Sequence, residues 1–212
     1  MTDGRPTIRD GDCDTARVAE YEATRRDAVR RGVIAGGGIV AASTIPILLR
    51  VGGAFAQTEG DGAILEGAVG IEQTAAIVYE TAYGSGLLEK PVAGIARLFR
   101  DQEREHAGEL SQALEDLGGT PPVPPKPEDV TGLGAVSSQE DILRFALELE
   151  NMAVVAYVDA HRKLQSPGLL RTSAQIMANE GQHLVVLRQA LGASPAESVP
   201  AAFEAGTAPA PG

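Results

Sequence analysis

Two stretches of this chain carry the same spaced pattern of glutamate, tyrosine and histidine. Ile71-Glu72-Gln73-Thr74-Ala75-Ala76-Ile77-Val78-Tyr79 aligns with Leu149-Glu150-Asn151-Met152-Ala153-Val154-Val155-Ala156-Tyr157 at an offset of 78 residues. Glu103-Arg104-Glu105-His106 aligns with Glu180-Gly181-Gln182-His183 at an offset of 77. Each half therefore supplies a glutamate, a tyrosine two helical turns on, and later a Glu-x-x-His. Two similar units can pack about an approximate twofold axis and share one core between them.

Around these motifs, apolar residues recur at helical spacing in four segments. The first runs from about Gly62 to Leu87, with a stripe of Leu65, Ala68, Ala75, Tyr79 and Ala82. The second runs from about Pro91 to Leu117, with Ile95, Leu98, Phe99, Leu110 and Leu114. Pro91 suits a first helical turn, and Gly118-Gly119 ends the segment. The third runs from about Ser138 to Leu164, with Leu143, Ala146, Ala153, Tyr157, Ala160 and Leu164; Ser138 is its N-cap, with Asp141 three residues later. The fourth runs from about Pro167 to Leu191, with Leu170, Ser173, Ile176, Met177, Leu184, Leu187 and Leu191, and Gly192 stops it. Short links join helices one to two and three to four, while the proline-rich stretch from Gly118 to Ser137 joins the pairs. The expected fold is all-α: an antiparallel four-helix bundle of two hairpins with one long crossover connection.

The six polar motif residues fall inside these apolar stripes. Glu72 lies between Ala68 and Ala75, Glu103 and His106 between Phe99 and Leu110, Glu150 between Ala146 and Ala153, and Glu180 and His183 between Met177 and Leu187. Four bare carboxylates facing one core would be very costly. They must take up protons, pair with cations or bind metal. No Lys or Arg shares the stripe near these levels, so internal salt bridges are a poor explanation. Positions i and i+3 share a helix face, so each Glu-x-x-His points both side chains inward. Mixed carboxylate and imidazole donors suit iron or manganese, with zinc also compatible. Two divalent ions would offset four carboxylate charges.

Composition agrees. There is no Trp and only 4% aromatic residues, so the core is built from Ala, Leu, Val and Ile, which favours packed helices over a β-sandwich. A net charge of −11 argues against a nucleic-acid partner. The single cysteine, Cys13, lies in the N-terminal region.

That region reads as an export signal. Met1 to Arg31 is polar and charged and includes Thr24-Arg25-Arg26-Asp27-Ala28-Val29-Arg30; a glycine-rich apolar run from Gly32 to Leu49 follows. Ala54-Phe55-Ala56 places small residues where a signal peptidase requires them, with the cut before Gln57. The apolar run is short for a membrane span and is interrupted by Arg50. Arg25-Arg26 resembles a twin-arginine signal. The expected organisation is a signal segment at 1–56, a bundle at 57–192 and a weakly ordered Ala/Pro-rich tail at 193–212. Cleavage would remove Cys13, and with it thiol chemistry, disulfides and iron–sulfur ligation.

On the two Glu-x-x-His motifs and their partner glutamates, the chain resembles the ferritin-like superfamily over about Gly62 to Leu191. It is most similar to exported ferritin-like domain proteins, some described as desiccation-related. The resemblance to bacterioferritin and rubrerythrin implies that Glu103 and Glu180 bridge two metal ions. Glu72 with His106 would complete one metal position, and Glu150 with His183 the other. It also implies two iron ions, or manganese, reacting with dioxygen or hydrogen peroxide. No rubredoxin-like cysteine module, no inter-subunit haem ligand and no fifth helix after Leu191 are evident, so a large iron-storing shell is not expected. The arrangement leaves room for a homodimer.

Other residues carry blander expectations. Tyr79 and Tyr157 are read mainly as core residues with satisfied hydroxyls. His161 is read as a helix-end histidine outside the metal set. Glu66, Glu80, Glu105, Glu109 and Glu148 are read as solvated, with Glu80 and Glu148 the two that could face a metal entry path. A metal-bearing oxidoreductase, a non-enzymatic metal-binding protein of the cell envelope and a metal-free helical interaction module all remain open at this point.

Overall fold

In the computed structural model, the described residues are 60–200. The expected signal segment, with Cys13 and Arg25-Arg26, lies outside them, as does the tail from 201. Four long helices make up the bundle: α1 Asp61–Gly84, α2 Lys90–Asp116, α3 Gln139–His161 and α4 Pro167–Ala190. A single further turn, α5, spans Pro195–Ser198. No strand occurs among the described residues. Helix α1 pairs with α2 and α3 with α4, and the hairpins meet through α1 against α3 and α2 against α4. No helix among the described residues is long and apolar enough to cross a membrane.

The helix ends follow from local chemistry. Pro91 and Pro167 occupy first turns, where a missing N–H costs nothing. Ser138 Oγ accepts from Asp141 N at 3.1 Å. Asp141 itself turns to Ser137, accepting from its N and Oγ at 3.1 and 3.0 Å, one residue earlier than a capping box would place it. Gly118 (φ 81°) turns the chain away just beyond α2, and Gly192 (φ 99°) does so just beyond α4. In both, the next residue's N–H returns to the helix: Gly119 N to Leu114 O at 2.9 Å, and Ala193 N to Arg188 O at 3.0 Å. Only glycine adopts that left-handed turn without strain. Asp61 ties the hairpins together, its carboxylate accepting from Gln165 N and Ser166 N just ahead of α4.

Two apolar layers fill the bundle. One holds Ile64, Leu65, Leu110, Leu114, Tyr157 and Ile176; the other holds Tyr79, Phe99, Leu143, Leu147, Leu184 and Leu187. On every helix the motif glutamate falls between a residue of one layer and a residue of the other. The crossover lies across α1 and α3, with Val130 and Leu133 packed on Ala75, Val78 and Leu149. Gln73 Nε2 donates to Pro122 O at 3.0 Å and fastens it.

Two expectations change. Leu98, assigned to the core stripe, is 54% exposed. It precedes Phe99 by one residue, and about 100° of helical rotation carries it off the buried face. The tail from 193, expected to be weakly ordered, begins with a helical turn. Ser194 and Glu197 form a capping box, and buried Ser198 is held by Gln189 Nε2 at 3.0 Å.

Candidate metal centre

The four helices bring all six expected residues together. Glu72, Glu103, Glu150, Glu180 and His183 are each at most 1% exposed, and the His106 side chain is 14% exposed. Glu72, Glu103, His106 and Glu180 form one group whose ligand atoms lie within 4.8 Å of one another; Glu103, Glu150, Glu180 and His183 form a second. Glu103 and Glu180 belong to both.

His106 Nδ1 lies 3.3 Å from Glu72 Oε2, 3.3 Å from Glu103 Oε2 and 3.1 Å from Glu180 Oε1. His183 Nδ1 lies 3.1 Å from Glu103 Oε1, 3.2 Å from Glu150 Oε1 and 3.2 Å from Glu180 Oε2. A ring nitrogen carries at most one proton, so it cannot satisfy three carboxylates. The remainder is visible: Glu103 Oε1 and both Glu180 oxygens are buried without a well-directed hydrogen bond. Such orphaned oxygens are costly in a core, and a multivalent cation with several coordination positions satisfies them where one proton does not. The donor set therefore fits a pair of divalent metal ions.

Without metal, protons must balance the cluster. Burial would depress both histidines, but the surrounding carboxylates outweigh it and lift each to about 12. Burial, with Glu180 alongside, raises Glu150 to about 8, and burial raises Glu72 well above the carboxylate range. Burial also acts to raise Glu180, but its contacts with Glu150, His106 and His183 prevail and hold it down. Metal-free, the site is two protonated imidazoles with protons shared among crowded carboxylates.

The tyrosines hold two of those carboxylates across the hairpin boundary. Tyr79 on α1 donates its hydroxyl to Glu150 Oε1 on α3, and Tyr157 on α3 donates to Glu72 Oε1 on α1. The antiparallel run of α1 against α3 sets Glu72 level with Tyr157 and Tyr79 level with Glu150. Burial raises both phenols further, so they stay protonated and act as donors. The satisfied-hydroxyl expectation holds, with partners that are the candidate ligands themselves.

Two neighbours of the site were not foreseen. Gln102 Oε1 lies 2.9 Å from His183 Nε2, and Phe99 stacks on the His183 ring with centroids 3.8 Å apart. The repeat held a signal for the first, since Asn179 occupies the position matching Gln102. The remaining candidates stand apart. His161 Nδ1 lies 2.6 Å from Tyr157 O and its Nε2 3.2 Å from Ser173 Oγ, at the end of α3. Glu80 pairs with Arg100 and Arg104 at 3.0 and 3.2 Å. Glu66, Glu105, Glu109 and Glu148 are exposed.

Comparison with curated proteins and with solved structures gives no match. Comparison with family models matches the ferritin-like domain to residues 60–193, which span all four long helices and the crossover. With that match over most of the chain, and with the helices and acidic–histidine cluster described above, the chain belongs to the ferritin-like domain family.

Proposed function

We propose that this chain is an exported dinuclear iron protein that reacts iron(II) with dioxygen or hydrogen peroxide. The observation that carries the reading is the pair of overlapping four-residue groups sharing Glu103 and Glu180. Shared carboxylates at the middle, with one more glutamate and one histidine on each side, match the bridging pattern implied by the family resemblance. Glu72 and His106 hold one ion, and Glu150 and His183 the other. Four carboxylates balance two divalent cations, and the mixed donor set favours iron, with manganese the alternative. When bound, a pair of iron(II) ions supplies two electrons, enough with two protons to convert one hydrogen peroxide to two waters.

The rest is done by the chain's own residues. Tyr157 and Tyr79 fix Glu72 and Glu150, so these carboxylates need not swing to find a ligand. The apolar layers on either side keep bulk water from the carboxylates. His106, the one candidate ligand with appreciable exposure, marks the side from which a small oxidant approaches. The partners are metal ions and the oxidant, with a homodimer allowed and nucleic acid disfavoured by the net charge of −11. Export through the twin-arginine route carries folded proteins, which permits loading before export.

Metal analysis by mass spectrometry on purified protein, beside a Glu103→Ala/Glu180→Ala variant, tests the reading. The expected result is two iron or manganese per chain, lost in the variant, followed by peroxide or oxygen consumption by the iron(II)-loaded protein. Two metals with no oxidant consumption would leave a non-enzymatic metal-binding protein of the cell envelope. Trace metal equal in both proteins, and not restored by anaerobic iron(II), would leave a metal-free helical module.

A further inference from the structure

We propose that the two metal positions bind unequally, and that Gln102 is the positioning residue that makes the His183 position the tighter one. The inference rests on the dinuclear reading above.

His183 presents Nδ1 to Glu103, Glu150 and Glu180, while its other ring nitrogen meets Gln102 Oε1 at 2.9 Å. An amide oxygen only accepts, so Nε2 carries the proton in that bond. In the neutral imidazole that a metal requires, the lone pair then sits on Nδ1, toward the carboxylates. Phe99 restricts the same ring from its face, with an interplanar angle of 25°. The ring is thus held in rotation before any metal arrives, the Nδ1 proton is the one that metal displaces, and the side chain is 1% exposed.

The other half lacks both devices. The offset of 77 that carries Glu103 to Glu180 carries Gln102 to Asn179 and Phe99 to Ile176. Asn179 is one methylene shorter, and among the described residues nothing hydrogen-bonds His106 Nε2. Ile176 offers no ring face to stack on. His106 is also more exposed, at 14%. Metal at the His106 position therefore meets a ligand that must be oriented on binding and that water can reach. Hydrogen-bond partners behind a metal-ligating histidine are worth roughly 10–100-fold in metal affinity, and one position has such a partner while the other does not.

Stepwise cobalt(II) titration of the metal-free full-length chain, followed by absorption, tests this. The wild type takes two ions in separable steps. Gln102→Ala weakens the tighter step by roughly 10–100-fold, so the steps draw together. Gln102→Glu, which can only accept, restores the separation. Asn179→Ala leaves both steps unchanged. With one equivalent of zinc(II), two-bond proton–nitrogen spectra of histidine-labelled protein place the metal on His183 Nδ1, with Nε2 protonated, before His106 changes. Two steps of equal affinity in the wild type would overturn the inference while leaving the dinuclear site intact. Gln102→Ala titrating like the wild type, or Gln102→Glu as weak as Gln102→Ala, would also overturn it. Uptake of fewer than two ions by the wild type would instead bring down the dinuclear reading and this inference with it.

Discussion

The first hairpin, α1 with α2, and the second, α3 with α4, set a glutamate, a tyrosine and a Glu-x-x-His at matching levels of the bundle. Their ligands repeat and their surroundings do not. Phe99 and Gln102 in the first hairpin secure the histidine of the second, but Ile176 and Asn179 make no such contacts to His106. Gln73 fastens the crossover at Pro122, whereas its counterpart Asn151 is buried with Oδ1 unbonded among the described residues. The candidate centre draws on both halves alike. The packing around it differs, and that difference leaves His183 closed and His106 partly open.

The largest expected effect falls where the halves share residues. Glu103 and Glu180 serve both groups, so Glu103→Ala alone should remove both metals rather than one. Glu72→Ala should remove chiefly the ion at the His106 position. Metal analysis of the two single variants reads this directly, and loss of only one ion from Glu103→Ala would show that the carboxylate is not shared. Saturating metal should stabilise the wild type by about 4 kcal/mol for each bound ion at a thousandfold excess over its Kd, and Glu103→Ala should lose that gain.

Next comes a matched pair in the core. Leu110 and Leu187 correspond under the offset of 77, and each is 1% exposed. Alanine at either should cost about 2–5 kcal/mol in denaturant unfolding. Like costs would mean the two apolar layers are equally well packed; a clear gap would locate the weaker layer. Leu98→Ala, on the outer face of the same helix as Leu110, should change stability by less than about 0.5 kcal/mol.

Leu98 also shows where periodicity stops being informative. The stripe gave the correct face for Phe99, Leu110 and Leu114, but at a stripe's margin one residue is the difference between core and solvent. The six candidate ligands were legible because polar groups at core positions contradict the pattern around them, and because the contradiction occurs twice. Gln102 was not legible in the same way. Its role depends on reaching from α2 to a ring on α4, and which helix faces which is a property of packing. The tyrosine partners were hidden for the same reason: Tyr79 shares a helix with Glu72 but bonds Glu150. The turn at Pro195–Ser198 was masked by a composition of Ala, Pro and Gly that signals disorder on average, although Ser194 and Glu197 form a capping box within it.

Acid and base should act on the metal-free centre in a known direction. Glu150 is raised from 4.5 to about 8 and both histidines from 6.5 to about 12. Between each pair of values the folded chain holds a proton that the unfolded chain has released. Stability therefore falls as pH rises from about 4.5 to 8 and beyond, by up to about 1.4 kcal/mol per pH unit for each such proton. Glu180 is shifted the other way and acts only below the ordinary carboxylate range, outside this window. Bound metal takes the place of these protons, so the loaded protein should lose the decline and instead weaken toward acid as protons compete for the ligands. Thermal melts from pH 5 to 8, with and without metal, should give slopes of opposite sign. Parallel slopes would mean the metal does not displace the protons of this cluster.

The finest distinction concerns the tyrosine exchange between hairpins. Tyr79→Phe and Tyr157→Phe each remove one donor to a buried carboxylate and leave the ring in place, so the expected cost is about 1–3 kcal/mol in the unloaded protein. The two should differ once metal is bound. Tyr79 supports Glu150, on the side where His183 is already held by Gln102 and Phe99. Tyr157 supports Glu72, beside a histidine with no such bracing. Losing Tyr157 leaves the His106 position with neither ligand oriented, whereas losing Tyr79 leaves one of two still set. Tyr157→Phe should therefore weaken the looser cobalt step more than Tyr79→Phe weakens the tighter one. Equal weakening would show that carboxylate orientation counts alike on both sides and that any inequality between the halves comes from the histidines alone.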